Sequence, residues 1–348
     1  INGDMSIAQR STSETGLSDG DSGYHTCDRW RFNENGTSTF EFTQSQSTDV
    51  PSGQGFGYSL KMDCTTAQAS LGSDAAVRID QRIEGQMVQY LKKGTSNAES
   101  TTASFWVKSN KTGTYIVELR DQDNSRTINK SYTIDSADTW EKKTITYAGD
   151  TTGTLTNDNN QSLQLQFYLG AGTNYTSGTL QTSWGSQVDA NRAVGQVNLA
   201  DSTDNEWYIT GVQLEAGEVA SDFEFLPVDV NEKRCNRYYY TTSDWKGGYY
   251  LGATTDASQQ GALCVTNLKT SDINAQGVRF PVRMRAAPTL TFYPRGSNTS
   301  GSVFYDGSNQ TAAGGHISSV GTSYIDVTSG SVSEISFVCY AYKVDAEL

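Results

Sequence analysis

The sequence predicts an all-β chain, a jelly-roll β-sandwich followed by a second, smaller β-sandwich. Three observations predict it. Short stretches with period-2 alternation recur along the chain, separated by Gly, Ser, Asn and Asp turns. Helical periodicity is nearly absent. The 348 residues include 33 Gly, 19 Tyr, 12 Phe and 6 Trp, and only 19% are charged, against a usual quarter or so.

The elements follow in order. Val77, Ile79 and Ile83 fall on one parity of a strand. Residues 104–107, the turn 110–113 and residues 114–119 read as a β-hairpin. Residues 140–147 alternate, as do Leu163, Leu165 and Phe167 with Gln164 and Gln166. Trp207 and Ile209 lead into Val212 and Leu214, and residues 222–225 read as a further strand. The best helix candidate, 84–91, is short and contains Gly85, so it reads equally as a turn. Long polar loops cover 151–161 and 170–188.

The proline-marked stretch 226–231 reads as a boundary, giving domains 1–228 and 229–348. In the second domain, seven stretches carry β-branched and aromatic residues: 238–240, 261–265, 278–282, 289–293, 302–305, 323–327 and 335–342. The run 278–284 mixes arginine with apolar residues and reads as either a subunit interface or an edge strand.

With 26 Lys+Arg and 39 Asp+Glu the formal net charge is −13. Residues 231–348 hold ten basic and nine acidic residues, so the excess lies in the first 230. This balance argues against a nucleic-acid partner, because phosphate contacts need clustered Lys and Arg. No apolar run is long enough for membrane insertion as a helix. The packing residues argue against disorder. The chain starts at Ile1 without a charged-then-apolar leader, which reads as a processed chain or part of a longer protein.

Cys27, Cys64, Cys235, Cys264 and Cys339 form no CxxC pair and read as mostly buried free thiols. The two histidines, His25 and His316, fall in different domains, and no GxSxG elbow is present. The acidic clusters Asp201, Asp204, Glu206 and Asp19, Asp21 read as solubilising loops. No enzymatic activity and no cofactor are therefore expected. The oxygen-rich turns 121–124 and 157–160 leave open a structural Ca²⁺, although neither matches a twelve-residue calcium loop.

A sugar's C–H face packs on a flat ring while its hydroxyls hydrogen-bond to neighbouring polar groups. Trp30, Trp106, Trp140 and Trp207 lie in alternating strands and read as core. Tyr175, Trp184, Trp245, Tyr249 and Tyr250 lie among Gly, Ser, Thr and Asn and are the glycan-binding candidates. Burial under a loop is the alternative for each.

Several stretches carry a family resemblance. Asn2-Gly3-Asp4-Met5-Ser6-Ile7-Ala8-Gln9-Arg10-Ser11-Thr12-Ser13, followed by Tyr24-His25-Thr26-Cys27-Asp28-Arg29-Trp30, resembles the opening of bacteriophage tail-fibre and virion proteins. Trp207-Tyr208-Ile209-Thr210-Gly211-Val212-Gln213-Leu214-Glu215-Ala216-Gly217 resembles the strand that closes their jelly roll. Cys235-Asn236-Arg237-Tyr238-Tyr239 and Phe280-Pro281-Val282-Arg283-Met284-Arg285-Ala286-Ala287-Pro288-Thr289 resemble their C-terminal region. The middle, from Phe105-Trp106-Val107 to Thr139-Trp140, is similar to carbohydrate-binding jelly-roll modules.

The resemblance implies a protein on the virion surface, made in the bacterial host cytoplasm. It also implies self-association, commonly as a homotrimer, contact with other virion proteins, and attachment to bacterial surface polysaccharide. A tail fibre or receptor-binding protein is the first reading. A capsid or head decoration protein, or a glycan depolymerase carrying a carbohydrate-binding domain, are the alternatives. The matched positions read as framework (Gly3, Gly211, Gly217, and Arg29 beside Asp28), so no ligand site comes with them.

Overall fold

A computed structural model describes residues 1–242, 263–268, 276–294, 302–305, 308–311, 317–327 and 335–348. Two compact units emerge, built on Asn2–Leu226 and Pro227–Glu347.

The first unit has thirteen strands: β1 Ser13–Leu17, β2 Gly23–Tyr24, β3 Arg31–Asn35, β4 Glu41–Ser47, β5 Ser59–Thr66, β6 Ala76–Glu84, β7 Thr101–Ser109, β8 Gly113–Asp121, β9 Arg126–Ile134, β10 Glu141–Tyr147, β11 Gln161–Ala171, β12 Gly185–Ser186 and β13 Glu206–Ala216. They form an all-β, jelly-roll sandwich of two antiparallel sheets. Sheet I runs β1-β4-β5-β13-β7-β10 and sheet II runs β12-β9-β8-β11-β6-β3-β2. One parity of each central strand enters the core: Phe105 and Val107 of β7, Trp207 and Ile209 of β13, Val77 and Ile79 of β6, and Leu163, Leu165 and Phe167 of β11. Phe167 lies at its centre, with ring centroids 5.0 Å from Phe105, 6.2 Å from Trp207 and 6.3 Å from Trp30. Each such side chain contributes about 1.5–3 kcal/mol by leaving water.

Several sequence expectations change. Residues 104–107 and 114–119 are not a hairpin. β7 belongs to sheet I and β8 to sheet II, and β8 pairs with β9 instead. The turn residues reverse the chain but carry it across the sandwich. Residues 84–91 take the turn alternative, as two single 3₁₀ turns, Gly85–Met87 and Gln89–Leu91. Residues 222–225 join no sheet. Side chains tether that segment, the Glu224 N–H donating to Gln213 Oε1 at 2.9 Å, while Phe223 and Phe225 pack on Phe56 at 5.2 and 5.0 Å.

The opening motif is framework. Trp30 Nε1 donates to the Asn2 carbonyl at 2.9 Å, and Asn2 Nδ2 donates to the carbonyls of Ile7 and Asp28. The buried Asp28 carboxylate accepts from the Gln9 N–H and Nε2. Arg29 Nη2 donates to the Arg82 carbonyl. Gly3 is required by space, since a Cβ there would lie 2.0 Å from the Val212 carbonyl oxygen. Gly211 has φ +62°, and a Cβ would meet the Phe56 ring at 2.6 Å.

The second unit opens with an α-helix, Val228–Asn236, which begins inside the stretch 226–231 that reads from sequence as a domain boundary. Its strands are β14 Tyr239–Thr241, β15 Leu263–Leu268, β16 Gln276–Arg279, β17 Thr289–Pro294, β18 Ser302–Tyr305, β19 Ser308–Thr311, β20 Ile317–Val320, β21 Tyr324–Val327 and β22 Ile335–Asp345. Strand β22 pairs with β14, β15, β17 and β18, and β16-β21-β20 forms a separate sheet. Phe280, Met284, Ile325, Tyr342 and Val344 are buried in this unit.

Candidate functional site

Residues paired across a sheet share a face, so the registers alone build the outer surface of sheet I. One row runs Ser45 (β4), Lys61 (β5), Tyr208 (β13), Lys108 (β7). The next runs Thr210, Trp106, Lys142. A third carries Thr43, Asp63 and Glu206. Trp140 immediately precedes β10 and closes the cluster, its ring 6.1 Å from that of Tyr208 and nearly edge-on.

Trp106 and Trp140 are half-buried on this outer face, which corrects their reading as core. Parity is the reason. Trp106 alternates with the buried Phe105 and Val107 and shares its face with Ser104 and Lys108. Trp30 and Trp207, at 1% and 0% exposed, are core as expected.

Charged groups order the rings. Lys108 Nζ lies 4.3 Å from the Tyr208 ring centre and 5.8 Å from that of Trp140, and Lys61 Nζ lies 5.6 Å from Tyr208. Lys108 also pairs with Asp49, whose other oxygen accepts from Trp140 Nε1 at 2.9 Å. Lys61 pairs with Glu206 at 2.6 Å and Asp63 at 3.7 Å, and Tyr208 OH donates to Glu206 at 2.6 Å. Burial works to raise the Asp49 carboxyl, but hydrogen bonds from Lys108 and Trp140 outweigh it and hold it below its ordinary value. Glu206 is lowered in the same way, burial being overcome by Lys61 and Tyr208. Asp63 is raised by burial, against the pull of Lys61 and with the push of Glu206. Burial, then the Glu206 hydrogen bond, raises Tyr208. The face thus presents the half-buried indoles of Trp106 and Trp140, with Tyr208 buried beneath Lys108 as their support, among fixed donors and acceptors, which is what recognition of a polyhydroxylated ring requires.

The aromatic candidates named from sequence lie elsewhere. Tyr175 sits in the one-turn α-helix Thr173–Thr176 and packs beside Tyr168 and Ala193, with Arg192 5.8 Å from its ring centre. Trp184 is half-buried against the core. Its Nε1 donates to the Ala148 carbonyl, and Lys93 Nζ lies 4.5 Å from its ring centre. It caps a buried ion cluster in which Lys93 contacts Asp121, Asp150 and the Gly153 carbonyl, while Arg126 pairs with Asp150 at 2.7 Å. Trp245, Tyr249 and Tyr250 lie outside the described residues, as does His316.

The calcium turns are internally bonded. Asp121 holds Lys93 and the Asn124 N–H, Asp123 accepts from the Thr156 N–H, and Asp158 accepts from Asn160. Among the described residues, no three His, Cys, Asp or Glu side chains are grouped to hold a metal ion. Cys27, Cys64 and Cys235 are free and buried. Burial, with Asp28 adding to it, raises the Cys27 thiol.

No protein-family model matches the chain, and no curated protein matches it. Among solved structures it is similar to the enzymatically active domain of tailspike protein 4 of bacteriophage CBA120, at 14% identity and TM-score 0.31 over 58% of this chain. This chain covers 21% of that tailspike chain. It is also similar to the family 11 carbohydrate-binding module of cellulase Lic26A-Cel5E of Clostridium thermocellum, at 10% identity and TM-score 0.29, covering 61% of this chain and 98% of the module. A third likeness is to the CBM22-1 xylan-binding domain of Paenibacillus barcinonensis Xyn10C, at 10% identity and TM-score 0.26, covering 60% of this chain and 94% of that one.

Proposed function

We propose that this chain is a glycan-binding virion protein, a tail-fibre or receptor-binding protein that attaches to bacterial surface polysaccharide through the outer face of sheet I. The observation that carries the glycan reading is the cluster of Trp106, Trp140 and Tyr208 on a rigid sheet, set among Lys61, Lys108, Asp49 and Glu206. Trp106 and Tyr208 are carried by strands and Trp140 is held by Asp49, so the rings need little ordering on binding and little conformational entropy is lost. The virion reading rests on the sequence motifs at residues 2–30, 207–217 and 280–289. With it go self-association as a homotrimer and contact with other virion proteins.

The test is calorimetry with oligosaccharides released from host envelope polysaccharide. Trp140→Ala and Trp106→Ala should each weaken binding about tenfold or more, the effect of losing one stacking anchor. Wild-type affinity in both variants would overturn the glycan reading of this face. Native mass spectrometry tests the trimer, and immunogold labelling of particles distinguishes tail from head.

A depolymerase is the second reading, and Asp63 beside Glu206 is the observation that favours it, since their environments push the two carboxyls in opposite directions. Both are held by Lys61, which favours a binding role without chemistry. Release of reducing ends from the polysaccharide by wild type, lost in Asp63→Asn, would reverse that preference.

A further inference from the structure

The opposite sheet carries a different chemistry. Its registers place three rows on the outer face of sheet II. The first is Arg82 (β6), Gln164 (β11), Arg120 (β8), Thr127 (β9). The second is Arg31 (β3), Asp80 (β6), Gln166 (β11), Glu118 (β8), Asn129 (β9). The third is Asn33 (β3), Arg78 (β6), Tyr168 (β11). Arg192 reaches the same face from the loop after β12, bonding Glu118 through Nε at 2.8 Å and Nη2 at 2.7 Å.

The carboxylates satisfy Arg192 and leave the other arginines short. Glu118 is taken by Arg192 and by Gln166 Nε2, and Asp189 at the rim pairs with Arg192 at 3.2 Å. Asp80 accepts from Asn33 Nδ2 at 2.6 Å, while Arg31 and Arg82 stand off at 3.6 and 3.9 Å, beyond hydrogen-bond reach. Arg78 is 3% exposed, yet its Nε and Nη2 have no hydrogen-bond partner among the described residues. Arg31 Nη1, Arg82 Nε and Gln166 Oε1 are unpartnered in the same sense. Five guanidiniums face three side-chain carboxylates, in a chain whose net charge is −13. Two find neutral acceptors as well, Arg82 Nη1 donating to the Leu348 carbonyl and Arg120 Nε to Gln187 Oε1 at 2.9 Å, so Arg78 is left with the largest unmet demand.

Leaving a buried donor unmatched costs about 1–3 kcal/mol, more for a charged one. Burial lowers both Arg31 and Arg120, and neighbouring guanidiniums push the same way. A planar fork of N–H donors matches a two-oxygen anion. Thr127, Asn129, Glu118, Gln166 and Tyr168 are fully buried, with Gln181 bonding Thr127 and Asn129 and Ala193 packing by Tyr168. The cluster opens to solvent at its β3–β6 rim, where the side chains of Arg31 and Arg82 are 14% and 23% exposed.

We propose that the solvent-reaching edge of this arginine cluster on sheet II is a second binding site, for an oxyanion carried by an acidic glycan, with Arg78 as anchor and Arg82 and Arg120 beside it. A uronate carboxylate and a phosphate ester share this chemistry. The aromatic face of sheet I would take neutral sugar rings, and this face the charged substituent.

The experiment is calorimetry on the full chain with trigalacturonate, neutral galactotriose and inorganic phosphate, using wild type, Arg78→Met, Arg120→Gln and Trp140→Ala. Trigalacturonate should bind wild type, and about tenfold more weakly in Arg78→Met and severalfold more weakly in Arg120→Gln, with steep salt dependence. Arginine-dependent binding of phosphate without trigalacturonate would assign the ester as the source. Failure of both anions to bind wild type, or equal binding in both arginine variants, overturns the proposal. So does loss of trigalacturonate in Trp140→Ala with none in Arg120→Gln, which would move the ligand to sheet I. Should Arg78→Met fail to fold, the partly exposed Arg120→Gln carries the test. Galactotriose reads sheet I separately, so either face can fail alone.

Discussion

The indole Nε1 of Trp140 donates to Oδ1 of Asp49 at 2.9 Å, across 91 residues of chain. The second Asp49 oxygen takes the Lys108 ammonium, and that ammonium lies over the Tyr208 ring. One carboxylate therefore sets the orientation of two rings on the face of sheet I.

Asp49→Ala should weaken oligosaccharide binding about three- to tenfold by freeing Trp140 and Lys108. Asp49 is 45% exposed in its side chain, so the melting temperature should move by no more than about 2 °C. Calorimetry with a parallel thermal melt checks both. A large loss of stability with intact binding would make the bond structural.

Two sets of carboxyls give opposite pH signatures. Asp49, Asp150 and Glu206 are lowered in the folded chain, burial being outweighed by their cationic or hydrogen-bonding partners. Their stabilisation is complete above the ordinary carboxyl range and is lost as pH falls through the folded values. The melting temperature should therefore drop below about pH 4.

Glu34 runs the other way. Burial pushes its carboxyl up to about 6, against weak bonds from the Gly20 N–H and Ser38. Its ionisation costs stability above pH 6, and that cost vanishes as pH falls toward the ordinary value. Glu34→Gln should gain about 1 kcal/mol at pH 8 and nothing at pH 4.5. An equal gain at both pH values would locate the effect outside the charge.

Lys93 sits between Asp121 and Asp150, all three side chains at least 95% buried. Lys93→Met strands two carboxylates with Arg126 as their remaining cation in the cluster, and should cost about 3–5 kcal/mol. The adjacent Lys92 pairs with Glu99 in solvent, so Lys92→Ala should cost about 0–1 kcal/mol. Denaturant unfolding of the two variants measures the difference.

Glycine substitution separates space from conformation. Gly3→Ala drives a methyl into the Val212 carbonyl and should prevent native folding or cost several kcal/mol, about the range for buried overpacking or more. Gly53→Ala meets nothing within 4 Å and bears only its φ of +74°, about 1–2 kcal/mol. Chemical denaturation reads both.

Strand positions were legible because alternation is local. Residues 302–305 are β18 as expected, and the patterns around Val77, Leu163 and Trp207 mark the centres of β6, β11 and β13. The candidate site was partly legible. Trp106 shares the parity of Ser104 and Lys108, a signal that places it opposite Phe105. Residue type and parity conflict at Trp106, an indole of core character on the outward parity, and the outward parity prevails.

By itself the sequence determined an all-β chain, the strand centres and the packing parity of Leu165, Phe167 and Trp207, because side chains alternate along any strand whatever its partner. Only the tertiary structure decided that β7 and β8 belong to different sheets, that Trp140 meets Asp49, and that five arginines from β3, β6, β8 and the loop after β12 share one face. These facts depend on strand pairing across tens of residues. Pairing is settled by burying one face of every strand at once, a condition that no local pattern contains.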